Sequence, residues 1–372
     1  MKTLTHRLVF AAAMLGGLVS TQPAHATTIA VGTCHTSTPS YPTIQQAVDA
    51  LNYLGGTVLI CPGVYPEQVK ITRPVILQGL SSGTQQSVSI VAPGTGLLAN
   101  YDNGTYLAPF AAHILVLSAN ATLANLDIEG AGAACTPSGT EAGVASVGSN
   151  VIITNSIIRN MSSPYVGCPG IAIYSEGIVG FGSLTLQNST LNVFRTGIYS
   201  INNSSVTVNN STFTDGTSGI EVYHPTAPMT LSGNTLQGLG CHAADCSNDA
   251  NNQGGGIVAS PALPGSMILN NTVEITPTSG YSLNLIGTAT VTGNKLSGGT
   301  YGIKVDATNS IVQSNIISNA IVGVEIYESS FGYNLITKNT FKFNGCGLWV
   351  HLSYSDTVTP NTFVNNRTSV CQ

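Results

Sequence analysis

Apolar residues along most of the chain recur in two short alternating patterns. The first reads apolar-x-apolar-x-Asn/Gly-Asn/Ser-x-apolar, as in Val151-Ile-Ile-Thr-Asn-Ser-Ile-Ile158, Leu184-Thr-Leu-Gln-Asn-Ser-Thr-Leu191, Val206-Thr-Val-Asn-Asn-Ser-Thr-Phe213 and Met229-Thr-Leu-Ser-Gly-Asn-Thr-Leu236. It continues through residues 267–273, 289–296, 310–317, 335–341 and 357–363. The second follows most of these turns, as in Gly170-Ile-Ala-Ile-Tyr174, Gly197-Ile-Tyr-Ser200, Gly219-Ile-Glu-Val-Tyr223, Gly302-Ile-Lys-Val-Asp306, Gly323-Val-Glu-Ile-Tyr327 and Gly347-Leu-Trp-Val-His351. Period-two alternation predicts strands with one face buried. Aligning the second turn residue gives Ser156, Ser189, Ser211, Asn234, Asn271, Asn294, Asn315, Asn339 and Asn361, in steps of 33, 22, 23, 37, 23, 21, 24 and 22. A base period near 22 with two insertions predicts a solenoid whose coils hold three short strands. Asn suits the tight turn because it tolerates the left-handed conformation and its amide can bond the next coil.

One segment departs from this pattern. Thr43 with Gln46 forms a capping box, and Ile44, Ala47, Val48 and Leu51 make one apolar helix face. A helix over about residues 43–53 is expected to cover the open end of the solenoid, whose repeat coils run over about 56–370.

Composition narrows the surface chemistry. Lys, Arg, Asp and Glu make up 7% of the 372 residues, against 42% apolar. Eleven cations over that length make no basic stripe, which excludes phosphate-neutralising nucleic-acid binding. The 41 glycines, with abundant Asn, Ser and Thr, instead fit an all-β chain with many turns. Residues 1–26 read as a signal peptide: Lys2 and Arg7, an apolar run from Leu8 to Val19, and Ala24-His25-Ala26 at the cleavage site. Residues 27–372 would carry a net charge of −7, with 9 cations and 16 anions, and no later apolar run reaches the roughly 20 residues of a membrane span. Export to a secreted, periplasmic or cell-surface location makes the eight cysteines readable as disulfides, economically paired in order as Cys34–Cys61, Cys135–Cys168, Cys241–Cys246 and Cys346–Cys371. Cys241, His242 and Cys246 lack a second ligand pair for zinc.

The repeats, with the opening segment Tyr41-Pro-Thr-Ile-Gln-Gln-Ala-Val-Asp-Ala-Leu51 and Gly56-Thr-Val-Leu-Ile-Cys-Pro-Gly-Val-Tyr-Pro-Glu67, resemble the right-handed parallel β-helix proteins of the pectin lyase-like superfamily over residues 35–370. The resemblance implies a single β-helix domain of three sheets, with the Asn turn between the second and third. The sheet after the long loop would be the floor of a substrate groove. Its outward residues would be Ala172 and Tyr174, Tyr199, Glu221 and Tyr223, Val258, Asn284, Lys304 and Asp306, Glu325 and Tyr327, and Trp349 and His351. Loops at 131–147, 159–170 and 239–254 would wall it.

On this floor Lys304 and Glu325 would stack as an ion pair. Asp306 and Glu325 would lie diagonally, roughly 7–8 Å apart, a separation suited to an acid and a base in an inverting glycosidase. Lys304, Asp306 and Glu325 are therefore the candidate catalytic residues. Tyr174, Tyr199, Glu221, Tyr223, Tyr327, Trp349 and His351 are the candidate substrate contacts. The alternative for each is a stabilising surface pair or a stacked ladder. Arg195, two residues before a groove strand, can reach Glu221 on the next coil.

Family signatures restrict the activity. Gly63-Val-Tyr-Pro-Glu67 matches a segment of pectin methylesterases, but their catalytic segments are missing. The Asn-Thr-Asp, Asp-Asp and Gly-His-Gly elements of polygalacturonases, the Arg base of pectate lyases and the Asp-Pro-His of mannuronan epimerases are missing too. No cofactor is required. Asp245-Cys-Ser-Asn-Asp249-Ala-Asn-Asn252 carries oxygen ligands for calcium without a recognised loop spacing. Two readings follow. One is a secreted, monomeric β-helix protein that binds extracellular polysaccharide along this face and, if an enzyme, is a lyase or glycoside hydrolase. The other is a non-catalytic envelope or matrix solenoid with a structural or adhesive role.

Overall fold

A computed structural model describes residues 27–81, 88–102, 109–130, 140–161, 170–178, 181–240, 254–276, 280–327, 332–350 and 355–371. Within these the alternation is realised as parallel strands throughout. In Ser205–Asn209 the side chains of Val206 and Val208 are fully buried, while the residues between them face outward. The strand pairs in register with Ser183–Gln187 before it and Thr230–Ser232 after it. Repeating this along the chain builds a right-handed parallel β-helix of three sheets around one apolar column running from Ile29 to Leu348.

Each coil follows the same path. A strand such as Asn150–Thr154 ends in the Asn turn, a short strand such as Ile157–Arg159 follows, and the long corner then leads to a groove strand such as Gly170–Glu176. The sequence reading placed residues 140–147 in a loop, whereas Thr140–Val147 is a groove strand paired with Phe110–Leu117 and Gly170–Glu176. These two early strands escaped detection because Phe110-Ala-Ala-His-Ile114 and Thr140-Glu-Ala-Gly-Val144 carry small and polar residues where later coils carry Gly-Ile.

The Asn turn divides its work between two residues. The first takes the left-handed conformation, with φ between 49° and 54° at Asn155, Asn188, Asn210 and Asn270, and with Gly233 and Gly293 in the same role. The second points inward and bonds the next coil. The backbone N–H of Ser211 donates to Asn234 Oδ1 at 3.0 Å, that of Asn234 to Asn271 at 3.0 Å, that of Asn271 to Asn294 at 2.8 Å and that of Asn294 to Asn315 at 2.9 Å. Each amide Nδ2 donates back to a strand carbonyl, as Asn294 does to Ile268 at 2.9 Å. Further ladders run through Ser310, Asn334 and Asp356 and through Ala320, Asn344 and Asn366 at the other corners.

The helix forms over Ile44–Ala50, inside the expected 43–53. Thr43 caps it by accepting from the Gln46 N–H, and Ile44, Ala47 and Val48 are buried. Glu67 accepts from the N–H groups of Ile44 at 2.8 Å and Gln45 at 2.9 Å, placing a carboxylate on the helix N-terminus. Tyr65 donates its hydroxyl to the Cys61 carbonyl at 2.7 Å. The Gly63-Val-Tyr-Pro-Glu67 segment thus docks the helix on the first coils. The disulfides Cys34–Cys61 and Cys346–Cys371 tie down the two ends, as paired from the sequence. The other four cysteines, the candidate calcium segment and residues 1–26 lie outside the described residues. No described helix is long and apolar enough to cross a membrane.

The ladder makes a quantitative expectation. Asn294→Ala strips the partner from the buried Asn271 N–H and from the Ile268 carbonyl, and is expected to lower unfolding free energy by about 2–3 kcal/mol. Asn319→Gly, which keeps the left-handed backbone (φ 57°) open and removes an exposed amide bonded to Ser297, should cost under about 0.5 kcal/mol in the same urea titration.

Candidate functional site

Register fixes one outward column on the groove sheet: Tyr174, Tyr199, Glu221, Val258, Asn284, Lys304, Glu325 and Trp349 on successive coils. Tyr223, Asp306 and Tyr327 stand two residues further along their strands. The register thus brings these residues onto the outward side of one sheet, with one exception. Ala172 is fully buried, because Ile173 rather than Ile171 pairs with Ile198. The repeat is shifted by two residues there, and Ala172 occupies the place held by Gly197 and Gly219 on later coils. At those glycines a Cβ would meet the next coil's carbonyl at 2.6 Å, which is why this inner bend is kept small.

The early half of the floor carries an outer apolar cluster. Phe110, Leu115, Ala142, Ala145 and Ile171 cover Tyr174, which is 2% exposed and packs 4.3 Å from the Phe110 ring. Tyr174 therefore offers no free face for a sugar, correcting its expected role as a platform. It stacks on Tyr199 at 5.9 Å with an interplanar angle of 7°, and Tyr199 lies 5.4 Å from Tyr223. Tyr174 and Tyr101 both donate to Glu176, at 2.9 and 3.3 Å, and burial with the Glu176 charge pushes the Tyr101 hydroxyl up to about 12.

Glu221 follows this tyrosine run. Tyr223 donates to its Oε2 at 3.4 Å. Burial pushes its carboxyl above the ordinary range, against the opposing pull of hydrogen bonds from Ser218 and Tyr223 and of the Arg195 charge. Arg195 thus reaches the neighbourhood that the sequence suggested. Tyr281, two coils on and absent from the sequence-derived set, completes the surroundings. Gly255 lies between Ser218 and Tyr281 in register, and a Cβ there would sit 2.6 Å from the Tyr281 ring. The missing side chain lets the ring lie across the sheet, where burial and the Glu221 charge raise its hydroxyl pKa.

In the later half, the Lys304 ammonium does not form the expected ion pair with Glu325. It sits 5.2 Å from the Tyr327 ring centroid and 6.0 Å from that of Tyr301. Glu325 is 5% exposed, and burial, followed by the Glu325 charge, raises the Tyr301 hydroxyl. Asp306 is half-buried and Tyr327 is 51% exposed. Trp349 is half-buried in register with Cys371 of the terminal disulfide, while His351 lies outside the described residues.

Two charge clusters escaped the sequence reading. On the third sheet Arg159 forks onto Asp127 at 2.9 and 3.0 Å and onto Glu129 at 3.1 and 2.8 Å, one coil away. His113 and Glu141 meet at 3.1 Å in the interior, on the two groove strands that the repeat did not reveal. Charges are thus not confined to the groove sheet.

The raised Glu221 carboxyl gives a signed expectation. The folded state holds this proton more tightly than the unfolded chain, so stability falls as pH rises from the ordinary glutamate value through the raised one. Glu221→Gln is expected to match the wild type in thermal midpoint at low pH and to exceed it above that window, as read by circular dichroism melts across pH.

The fold is that of a parallel β-helix protein. The family described as "Periplasmic copper-binding protein (NosD)" matches residues 135–371, and the chain belongs to it. No curated protein matches. Among solved structures, the GH136 lacto-N-biosidase from Eubacterium ramulus aligns with a TM-score of 0.61 at 12% identity, covering 91% of this chain and 67% of that one. The mannuronan C-5 epimerase AlgE4 A-module from Azotobacter vinelandii aligns at 0.39 and 15% identity, covering 88% and 92%. At such identities the likeness concerns the fold alone.

The family description raises copper, whose soft or imidazole ligands must converge. Among the described residues, both cysteine pairs are disulfides, Met161 and Met229 are fully buried in the apolar core, and His113 is held by Glu141. No described cluster of three His, Cys, Asp or Glu could hold a metal. The described residues do not fit a copper site.

Proposed function

We propose that the protein is exported by residues 1–26, that residues 27–372 act as one β-helix domain, and that it binds polysaccharide along the groove sheet outside the cytoplasm. The observation that carries this reading is the gathering of Tyr199, Tyr223, Tyr281, Tyr301, Tyr327 and Trp349 with Glu221, Asn284, Lys304 and Asp306 on the outward side of one sheet. Aromatic faces pack on the apolar faces of sugars, and hydroxyl, amide and carboxyl groups between them satisfy sugar hydroxyls. Successive coils about 4.8 Å apart repeat such contacts along an extended chain. A net negative charge favours neutral glycans over polyuronates. The two disulfides fit an oxidising compartment.

Affinity electrophoresis of residues 27–372 in laminarin, xylan, galactomannan and polygalacturonate tests the reading. Retardation by a neutral glycan is expected, weakened at least about tenfold by Tyr223→Ala or Trp349→Ala, each removing one stacking face. Migration unaffected by every glycan would leave the structural solenoid as the function.

A further inference from the structure

Most of the groove column would serve a binding surface equally well, but Glu221 has surroundings that binding alone does not require. It is a half-buried carboxyl on the outer face of the sheet, with a tyrosine and an apolar side chain on the neighbouring coils. Tyr199 precedes it in register and Val258, 3% exposed, follows it. Tyr223 donates to it from its own strand, and Ser218 bonds it from the strand's inner bend. Tyr281, two coils away, feels the Glu221 charge, and its ring lies over Gly255, where a Cβ would sit 2.6 Å from it. The one described cation near it is Arg195, at the corner leading into the preceding groove strand, and it forms no ion pair at hydrogen-bonding distance among the described residues. A carboxylate with ordinary structural duties in this chain is treated differently: Asp127 and Glu129 are each forked by a guanidinium.

We infer that Glu221 is a catalytic acid, placed to protonate the bridging oxygen of a glycosidic bond in a neutral glycan laid along Tyr199 and Tyr223. This rests on the reading of the face as glycan-binding and adds a reaction to it. The carboxyl proton passes to the bridging oxygen as the bond from that oxygen to the anomeric carbon breaks, the electron pair staying on oxygen. A water adds to the anomeric carbon and releases one proton to solvent, from which Glu221 is recharged. The sum is one glycosidic bond and one water consumed and two hydroxyl ends formed. An acid in this role must keep its proton at the working pH, and burial raises the Glu221 carboxyl in that direction. The Tyr223 hydroxyl donates to it at 3.4 Å, while the Tyr281 hydroxyl bonds the Asn284 side chain. Tyr281 is a positioning residue, its ring excluding water from the carboxyl.

The test uses residues 27–372 with laminarin, xylan and galactomannan, scoring retardation in affinity gels and new reducing ends in parallel across pH. Expected are reducing ends from a glycan that is retarded, a rate that declines as pH rises through the Glu221 titration, and a loss of at least about 100-fold in Glu221→Gln. Infrared difference spectra of the unliganded wild type against Glu221→Gln, taken across pH, should show a protonated carboxyl band that persists above the ordinary glutamate range. Gly255→Ala displaces the Tyr281 ring and should move the declining limb to lower pH as water reaches the carboxyl. Reducing-end release kept within tenfold in Glu221→Gln, or a limb unmoved in Gly255→Ala, overturns the proposal. Retardation without reducing ends overturns the acid and leaves the glycan-binding reading intact, whereas no retardation overturns both.

Discussion

A solenoid of short strands must turn about three times in every coil, and each turn leaves backbone groups inside that neither strand can satisfy. The buried side-chain ladder at the corners resolves this. Asn234, Asn271, Asn294, Asn315 and Asn339 each accept from the N–H one coil before and donate to a strand carbonyl, so an amide does the work that water would do at an exposed turn. Because every rung bonds its neighbour, the coils cannot slip relative to one another. The columns on the groove sheet inherit their alignment from this interior register.

On that sheet the decisive effect is exclusion of water from part of an outer face. Phe110, Ala142 and Ile171 form an apolar patch that covers Tyr174, and the half-buried tyrosines continue along the sheet as far as Glu221. Further along, the Lys304 ammonium lies near the rings of Tyr301 and Tyr327, with no ion pair to an acid among the described residues. The same sheet therefore treats its charges in two ways. One carboxyl sits half-buried beside tyrosine rings, and one ammonium is offered π-faces.

The repeat was legible because a coil uses the same residue types at the same turn: the aligned series from Ser156 to Asn361 is the observed ladder. The cap at Thr43 was equally plain, being local. Less legible was anything set between coils. The shift that buries Ala172 arises because Gly170 mimics the glycine of later coils while Ile173 takes the paired position. Tyr174 was read as open because its cover comes from Phe110 and Ala142, on strands without the repeat's signature. Tyr281 and Tyr301 sit just ahead of the second pattern, in a column that alternation alone does not mark as part of the floor. The Arg159 cluster joins residues 30 and 32 positions apart and has no sequence periodicity.

The ladder bond from Asn234 to Asn271 spans 37 residues and that from Asn294 to Asn315 spans 21, yet the two lengths are 3.0 and 2.9 Å. The frame is indifferent to how much chain passes between its rungs, provided the surplus leaves at the corner before a groove strand. That corner is a port at which contour length is uncoupled from architecture. Surface added there always arrives beside the floor, so lineages of such a protein can lengthen, shorten or exchange the walls of the groove while the bonds that hold the solenoid stay as they are.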